Sequence, residues 1–156
     1  MYESQSRVFE YLYKTKLMAT LLSVIKTLES LALQEPNIRS AGENDLIAFM
    51  NGNPEIKYGV FYITQNTHSS TDLFDYYGLN LFFLDRMTDD GANELAIESY
   101  GKQVLDKVVD TFCAYYNGEI VGERKYQSFA DKFKDRVAGE ILTVKIMLPK
   151  DVICIE

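Results

Sequence analysis

The densest group of potential ligands in the chain lies in "GLNLFFLDRMTDDGANELAIE", residues 78–98, where Asp85, Asp89 and Asp90 crowd beside Gly91. Oxygen donors around a glycine are what a calcium loop needs, with that glycine at the sixth position and a bidentate glutamate at the twelfth. Starting at Asp85 puts Asp90 sixth and Ala96 twelfth. Starting at Arg86 puts Gly91 sixth, but leaves Arg86 first and Ile97 twelfth. Neither register supplies the ligand set. The same residue types also open helices: Thr88, Asp89, Asp90 and Asn93 are capping residues, and early carboxylates suit the positive end of the helix dipole. The stretch reads as a strand–turn–helix corner.

The single histidine, His68, sits in "TQNTHSSTD" beside serines and Asp72. A serine–histidine–aspartate set needs three groups brought together by a fold, and no G-x-S-x-G elbow is present. His68 reads as an exposed loop residue. Cys113 and Cys154 have no zinc-site or disulfide-framework spacing. There is no P-loop, dinucleotide fingerprint, paired-histidine zinc motif or C-x-x-C pair. An enzyme would need a carboxylate site outside these motifs, drawn from Asp72, Asp75, Asp85 and Asp89, with two carboxylates sharing a concave pocket. The expectation is a non-enzyme with no catalytic residue, cofactor or metal.

Charge and composition narrow the partners. In "GERKYQSFADKFKDR", Arg124, Lys125, Lys132, Lys134 and Arg136 interleave with Tyr126, Phe129 and Phe133, a pattern that can stack single-stranded bases. Glu123, Asp131 and Asp135 offset three of those five positive charges. A half-buried segment with a mixed-charge solvent face, or a protein-docking edge, fits better. The net charge of −7 opposes binding to polyphosphate, where affinity comes from neutralising phosphates. Sequence-specific nucleic-acid binding is not expected. Apolar runs fall short of the ~20 residues that span a membrane, and the first residues, "MYESQSRVFEYLYK", carry scattered charges rather than an apolar leader. A cytosolic, reduced protein is expected.

The elements that must position these residues follow from periodicity. At 156 residues the chain suits one domain, large enough to bury a core without staples. Residues 2–35 read as helix, with Leu17, Leu21, Ile25, Leu28, Leu31 and Ala32 on one stripe, ended before Pro36; the earlier part, with Val8, Phe9, Leu12 and Tyr13, either continues this helix or forms a separate one. Residues 36–57 read as a flexible loop, rich in proline, glycine and asparagine, with an apolar island at Leu46–Met50 and a turn at Asn51-Gly52. Residues 58–65 and 73–86 alternate as strands, with "NTHSSTD" between them as a hairpin loop. Residues 94–116 form a helix with Ile97, Gly101, Val104, Leu105, Val108, Phe112 and Tyr115 on its core side, a Glu98–Lys102 pair four apart, and a stop at Asn117-Gly118. A strand lies near Ile120 or Tyr126, and residues 137–148 make the clearest strand, closed by Pro149. The order α-β-β-α-β-β predicts an α+β fold: an antiparallel sheet of about four strands with two main helices on one face. Both strands of the hairpin carry aromatics on both faces, so the face away from the helices is too apolar for water.

From about residue 56 to residue 156 the chain resembles small tail-completion or tail-terminator-like proteins of phages and prophages from Bacteroides-type bacteria. The resemblance rests on "KYGVFYIT", on "DYYGLNLFFLDRM" passing through an acidic step into "NELAIESYGKQVLDKVVDTF", and on Phe133-Lys134-Asp135 followed by Pro149 and Cys154 in "FKDRVAGEILTVKIMLPKDVICIE". Family members often begin the first strand with Tyr-Pro; here it is Tyr58-Gly59. The resemblance implies an α+β subunit that self-associates into a ring, contacts other tail or neck proteins, and stops tail growth or joins head to tail. It implies assembly in the host cytoplasm and then a place in the virion, or a cytoplasmic product of a decayed prophage. The contact residues would be exposed-face aromatics Tyr62, Tyr76 and Phe82 and the loop of residues 44–53, with Asn44, Asn51 and Asn53. A cytosolic adaptor that binds one protein partner through the aromatic sheet face is the competing expectation.

Overall fold

A computed structural model describes residues 20–43, 57–130 and 136–151. The first helix, α1 (Leu21–Leu33), starts at a reciprocal cap. The Ser23 N–H donates to Thr20 Oγ1 at 3.1 Å, and the Thr20 N–H donates to Ser23 Oγ at 2.8 Å, which satisfies two backbone donors that a helix start leaves orphaned. Val24, Ile25, Leu28 and Ala32 then fall on one buried stripe. Residues 2–19 of the expected helix, with Leu17, lie outside the described residues, as do Asn44, Asn51, Asn53, the Leu46–Met50 island, Lys132, Phe133, Lys134, Asp131, Asp135 and Cys154.

Eight elements are described: α1, β1 (Ser40–Glu43), β2 (Val60–Ser70), β3 (Phe74–Arg86), α2 (Glu94–Tyr116), β4 (Glu119–Ile120), β5 (Lys125–Ala130) and β6 (Val137–Pro149). They build an α+β fold around one mixed, six-stranded sheet of order β1-β2-β3-β6-β4, with β5 also paired to β6. Two parts of the expected architecture are corrected. The sheet has more than four strands among the described residues, and it is not purely antiparallel, because β1 runs parallel to β2. "SAGE" has no apolar alternation; it becomes a strand because its backbone bonds are completed by a segment far along the chain. Arg39 N–H donates to Gly59 O at 2.9 Å, and Ser40 Oγ donates to Lys57 O at 2.8 Å.

A third correction concerns the hairpin. "NTHSS" does not break the strand but carries β2 through Ser70, and the turn is confined to residues 71–73. There the Thr71 N–H donates to Phe74 O at 2.8 Å. Exposed strand positions need no apolar residue, and threonine suits extended backbone. The pairing is interrupted once, by a bulge between Gln65 and Thr67.

Both described helices contribute to one core with the same sheet face. Phe61, Ile63, Leu79, Leu81, Phe83, Leu142, Val144 and Ile146 meet Leu28 of α1 and Leu105, Val108 and Phe112 of α2. Tyr115, expected in this core, is 75% exposed; Tyr116, one position on, packs its ring on Phe112 at 5.0 Å instead. Asn117 closes α2 in the left-handed conformation (φ 53°). The opposite sheet face is not left to water as a whole. Val60, Leu84, Phe129 and Val137 form a second buried cluster with Tyr58, Phe82 and Ile141 around it. Among the described residues no helix is long and apolar enough to cross a membrane.

Candidate functional site

The acidic stretch is a corner, as its residue types indicate. Thr88 Oγ1 donates to Asp90 Oδ1 at 2.7 Å, and the Ala92 N–H donates to the same oxygen at 3.1 Å. These bonds hold the Asp90 carboxyl below its ordinary range. Asn93 is the N-cap of α2 without a side-chain cap bond. Its amide ties the corner back to the strand: Oδ1 accepts from the Thr88 N–H at 2.8 Å and Nδ2 donates to Arg86 O at 3.1 Å. Arg136 closes the outside, donating to Asp89 O at 2.6 Å. Asp90 and Asn93, which looked like ligands in the sequence, thus bond within the corner.

Of the four carboxylates weighed as a catalytic set, the two on β3 do not meet. Asp75 and Asp85 sit ten residues apart on one strand, about 33 Å at ~3.3 Å per residue. Asp75 accepts from Ser70 Oγ at 2.8 Å, and Asp85 accepts from the Arg86 N–H at 2.8 Å. His68 lies on β2 rather than in a loop. It is exposed, and its ring stacks on Tyr77 with centroids 4.8 Å apart. No group of three or more His, Cys, Asp or Glu among the described residues is placed to hold a metal. A cleft of about 560 Å³ opens between the first turns of α2 and the ends of β2 and β3, lined by Arg39, Tyr58, Asp85, Asn93 and Tyr100 among others. Its Asn93 and Asp85 are the groups already engaged in the corner.

Two polar clusters escaped the sequence reading because each joins distant segments. In the first, Arg124 bridges Asp106 at 2.9 Å and Asp110 at 2.5 Å on α2, and Tyr126 Oη donates to Asp106 at 2.5 Å. Burial alone would raise the Asp106 carboxyl, but the bonds from Tyr126 and Arg124 outweigh it and bring it below its ordinary value. Lys102, expected to pair with Glu98, reaches Asp106 at 3.4 Å and covers the Tyr126 ring at 4.6 Å. The basic–aromatic stretch is thus partly spent inside the molecule, fastening β5 to α2. In the second cluster, Lys26 of α1 meets Glu29 at 3.5 Å and Glu43 of β1 at 2.9 Å. Glu29 is 9% exposed, and its Oε1 is buried with no hydrogen-bond partner among the described residues. Burial and a hydrogen bond to Glu43 push its carboxyl up to about 7.

The expected contact aromatics are divided. Tyr62 has no exposed surface, and its hydroxyl donates to Glu43 O at 2.6 Å, so it is not an exposed-face residue. It is enclosed on the side of the second apolar cluster, with its ring 6.4 Å from that of Phe82. Tyr76 and Phe82 are half-buried, and Lys145 lies 5.6 Å over the Tyr76 ring. The more open surfaces are strand edges. β1 pairs with β2 only over Val60 to Ile63, and residues 65–70 beyond it are all exposed. At the other side of the sheet β5 pairs with β6 alone among the described strands, and Lys125, Tyr126, Gln127 and Ser128 are exposed. The run of threonines and serines after Ile63 is the one sequence signal that points to such an edge. No protein-family model matches the chain, and no curated protein shows significant similarity to it.

Proposed function

We propose that the protein is a non-catalytic structural subunit that self-associates, working in completion or termination of a phage or prophage tail or in head–tail joining. The observation that carries the self-association is a pair of strand edges, residues 64–70 of β2 and the whole of β5, on opposite sides of one sheet, that pair with no other strand among the described residues. An unpaired edge presents a row of backbone donors and acceptors, and proteins that stay monomeric usually cover or blunt it. Two different edges on one subunit favour head-to-tail contacts, and such contacts give rings when the rotation closes. The role in a tail rests on the resemblance of residues 56–156 described above. Light scattering on a sizing column, over a wide range of loading concentrations, tests the reading. A rise with concentration to a discrete oligomer supports it. A monomer throughout contradicts it and favours an adaptor with a single partner.

A further inference from the structure

We infer that residues 64–70 of β2 in one copy pair antiparallel with β5 of the next copy, continuing one sheet through the assembly. The inference rests on the self-association reading and names its seam.

Strand direction gives the first argument. β2 is antiparallel to β3, β3 to β6, and β6 to β5, so β2 and β5 run in opposite directions. Copies related by rotation about an axis near the strand direction keep their strands oriented alike. β5 of one copy then meets β2 of its neighbour antiparallel, the more stable ladder.

Position along the strands gives the second. β1 fills the β2 edge beside Val60 to Ile63, and from Thr64 on no strand among the described residues pairs with that edge. Through β3, Thr64 stands level with Thr143 of β6 and Ser70 with Leu148. β5 covers residues 138–143 of β6. A neighbour's β5 would therefore continue the line of β1, much as β4 and β5 share the far edge of β6.

The two open stretches are offset by about five residues, or ~17 Å at ~3.3 Å per residue. The strands β2, β3, β6 and β5 make a repeat about 19 Å wide at ~4.8 Å per strand. That offset tilts the strands by about 40° from the assembly axis, inside the range that closed sheets adopt. The bulge at Gln65–Thr67 adds local twist at this edge. A two-fold pairing of β5 with β5 would leave both β2 edges open, whereas the head-to-tail seam uses both edges of every copy. Backbone bonds supply the affinity, since the side chains along the seam are mostly hydroxyls and amides.

The test compares the wild-type chain, the double variant Asn66→Lys/Ser69→Lys, and the same variant with Gln127→Glu added, by sedimentation velocity at matched concentrations. All three positions are exposed, and circular dichroism checks the fold of each protein. Edge lysines oppose strand pairing. The double variant should raise the dissociation constant of the assembly at least about tenfold, and Gln127→Glu should recover part of the loss. A double variant that assembles like the wild type overturns the seam and leaves the self-association reading standing. A triple variant with no recovery overturns β5 as the partner strand. A wild-type chain that stops at a dimer overturns the head-to-tail arrangement. A wild-type chain that stays monomeric overturns the self-association reading, and the seam with it.

Discussion

Replacing Glu29 with glutamine should remove a pH dependence that the wild-type chain carries between α1 and β1. Glu29 is raised from the ordinary 4.5 to about 7, first by burial and then by its bond to Glu43, while Glu43 is lowered chiefly by that same bond. Between the lowered Glu43 value and about pH 7 the pair therefore carries one proton, with Lys26 beside both. Glu29 binds its proton more tightly in the folded chain than in the unfolded one. Its contribution to stability is complete below about pH 4.5 and is lost as pH rises through about 7. Glu43 works the other way: its contribution is present above about 4.5 and is lost as pH falls through its lowered value. The pair is therefore most stabilising in mildly acidic solution, with one proton bound. The rise from 4.5 to about 7 corresponds to about 3 kcal/mol. Lys26, whose side chain is 43% exposed, keeps the pair in contact with solvent, and screening brings the loss to the order of 1–2 kcal/mol. Glutamine has nearly the same shape and donates to Glu43 as the protonated acid does. Urea unfolding at steps from pH 5 to pH 8.5 should show wild-type stability falling across this range. Glu29→Gln should show a flatter profile and greater stability at pH 8, with little difference near pH 5. A Gln variant that keeps the wild-type slope, or is the less stable protein at pH 8, would refute the shared-proton arrangement.

Three substitutions probe the packing and the Arg124 bridge. A Cβ on Gly139 would lie 2.0 Å from Phe83 O and 2.7 Å from Phe129 Cζ, so Gly139→Ala must move backbone and should cost about 3 kcal/mol or more in thermal unfolding. Gly78→Ala meets mainly the rotatable Thr67 Oγ1 at 2.2 Å and should cost about 1 kcal/mol. Arg124→Lys replaces a fork that reaches Asp106 and Asp110 by a single ammonium. It should cost about 1 kcal/mol in chemical denaturation, and an unchanged midpoint would show that the bridge holds nothing.

The parts of the fold that were legible in the sequence are those with long, uninterrupted periodicity. Helix α2 spans the residues its apolar spacing marks, and the alternations of β3 and β6 fall where they were expected. Strand β1 was not legible, because Ser40, Ala41, Gly42 and Glu43 gain their extended form from parallel pairing with Val60 to Ile63. The far half of β2 was hidden by polar residues that mark a loop in one context and an exposed edge in another. Alternation also placed Tyr62 on the face opposite the helices correctly, but could not show that a second apolar cluster of Val60, Leu84, Phe129 and Val137 lies on that side. Of the candidate chemistry, the acidic corner was legible because its capping residues are local. The Arg124 bridge and the Glu29–Glu43 pair were not, because each is made by segments 14 or more positions apart.

Native mass spectrometry across a hundredfold range of concentration tests whether this chain self-associates as proposed. A self-associating subunit gives a single discrete species of more than two copies, growing at the expense of monomer as concentration rises. A monomer at every concentration would contradict the proposal.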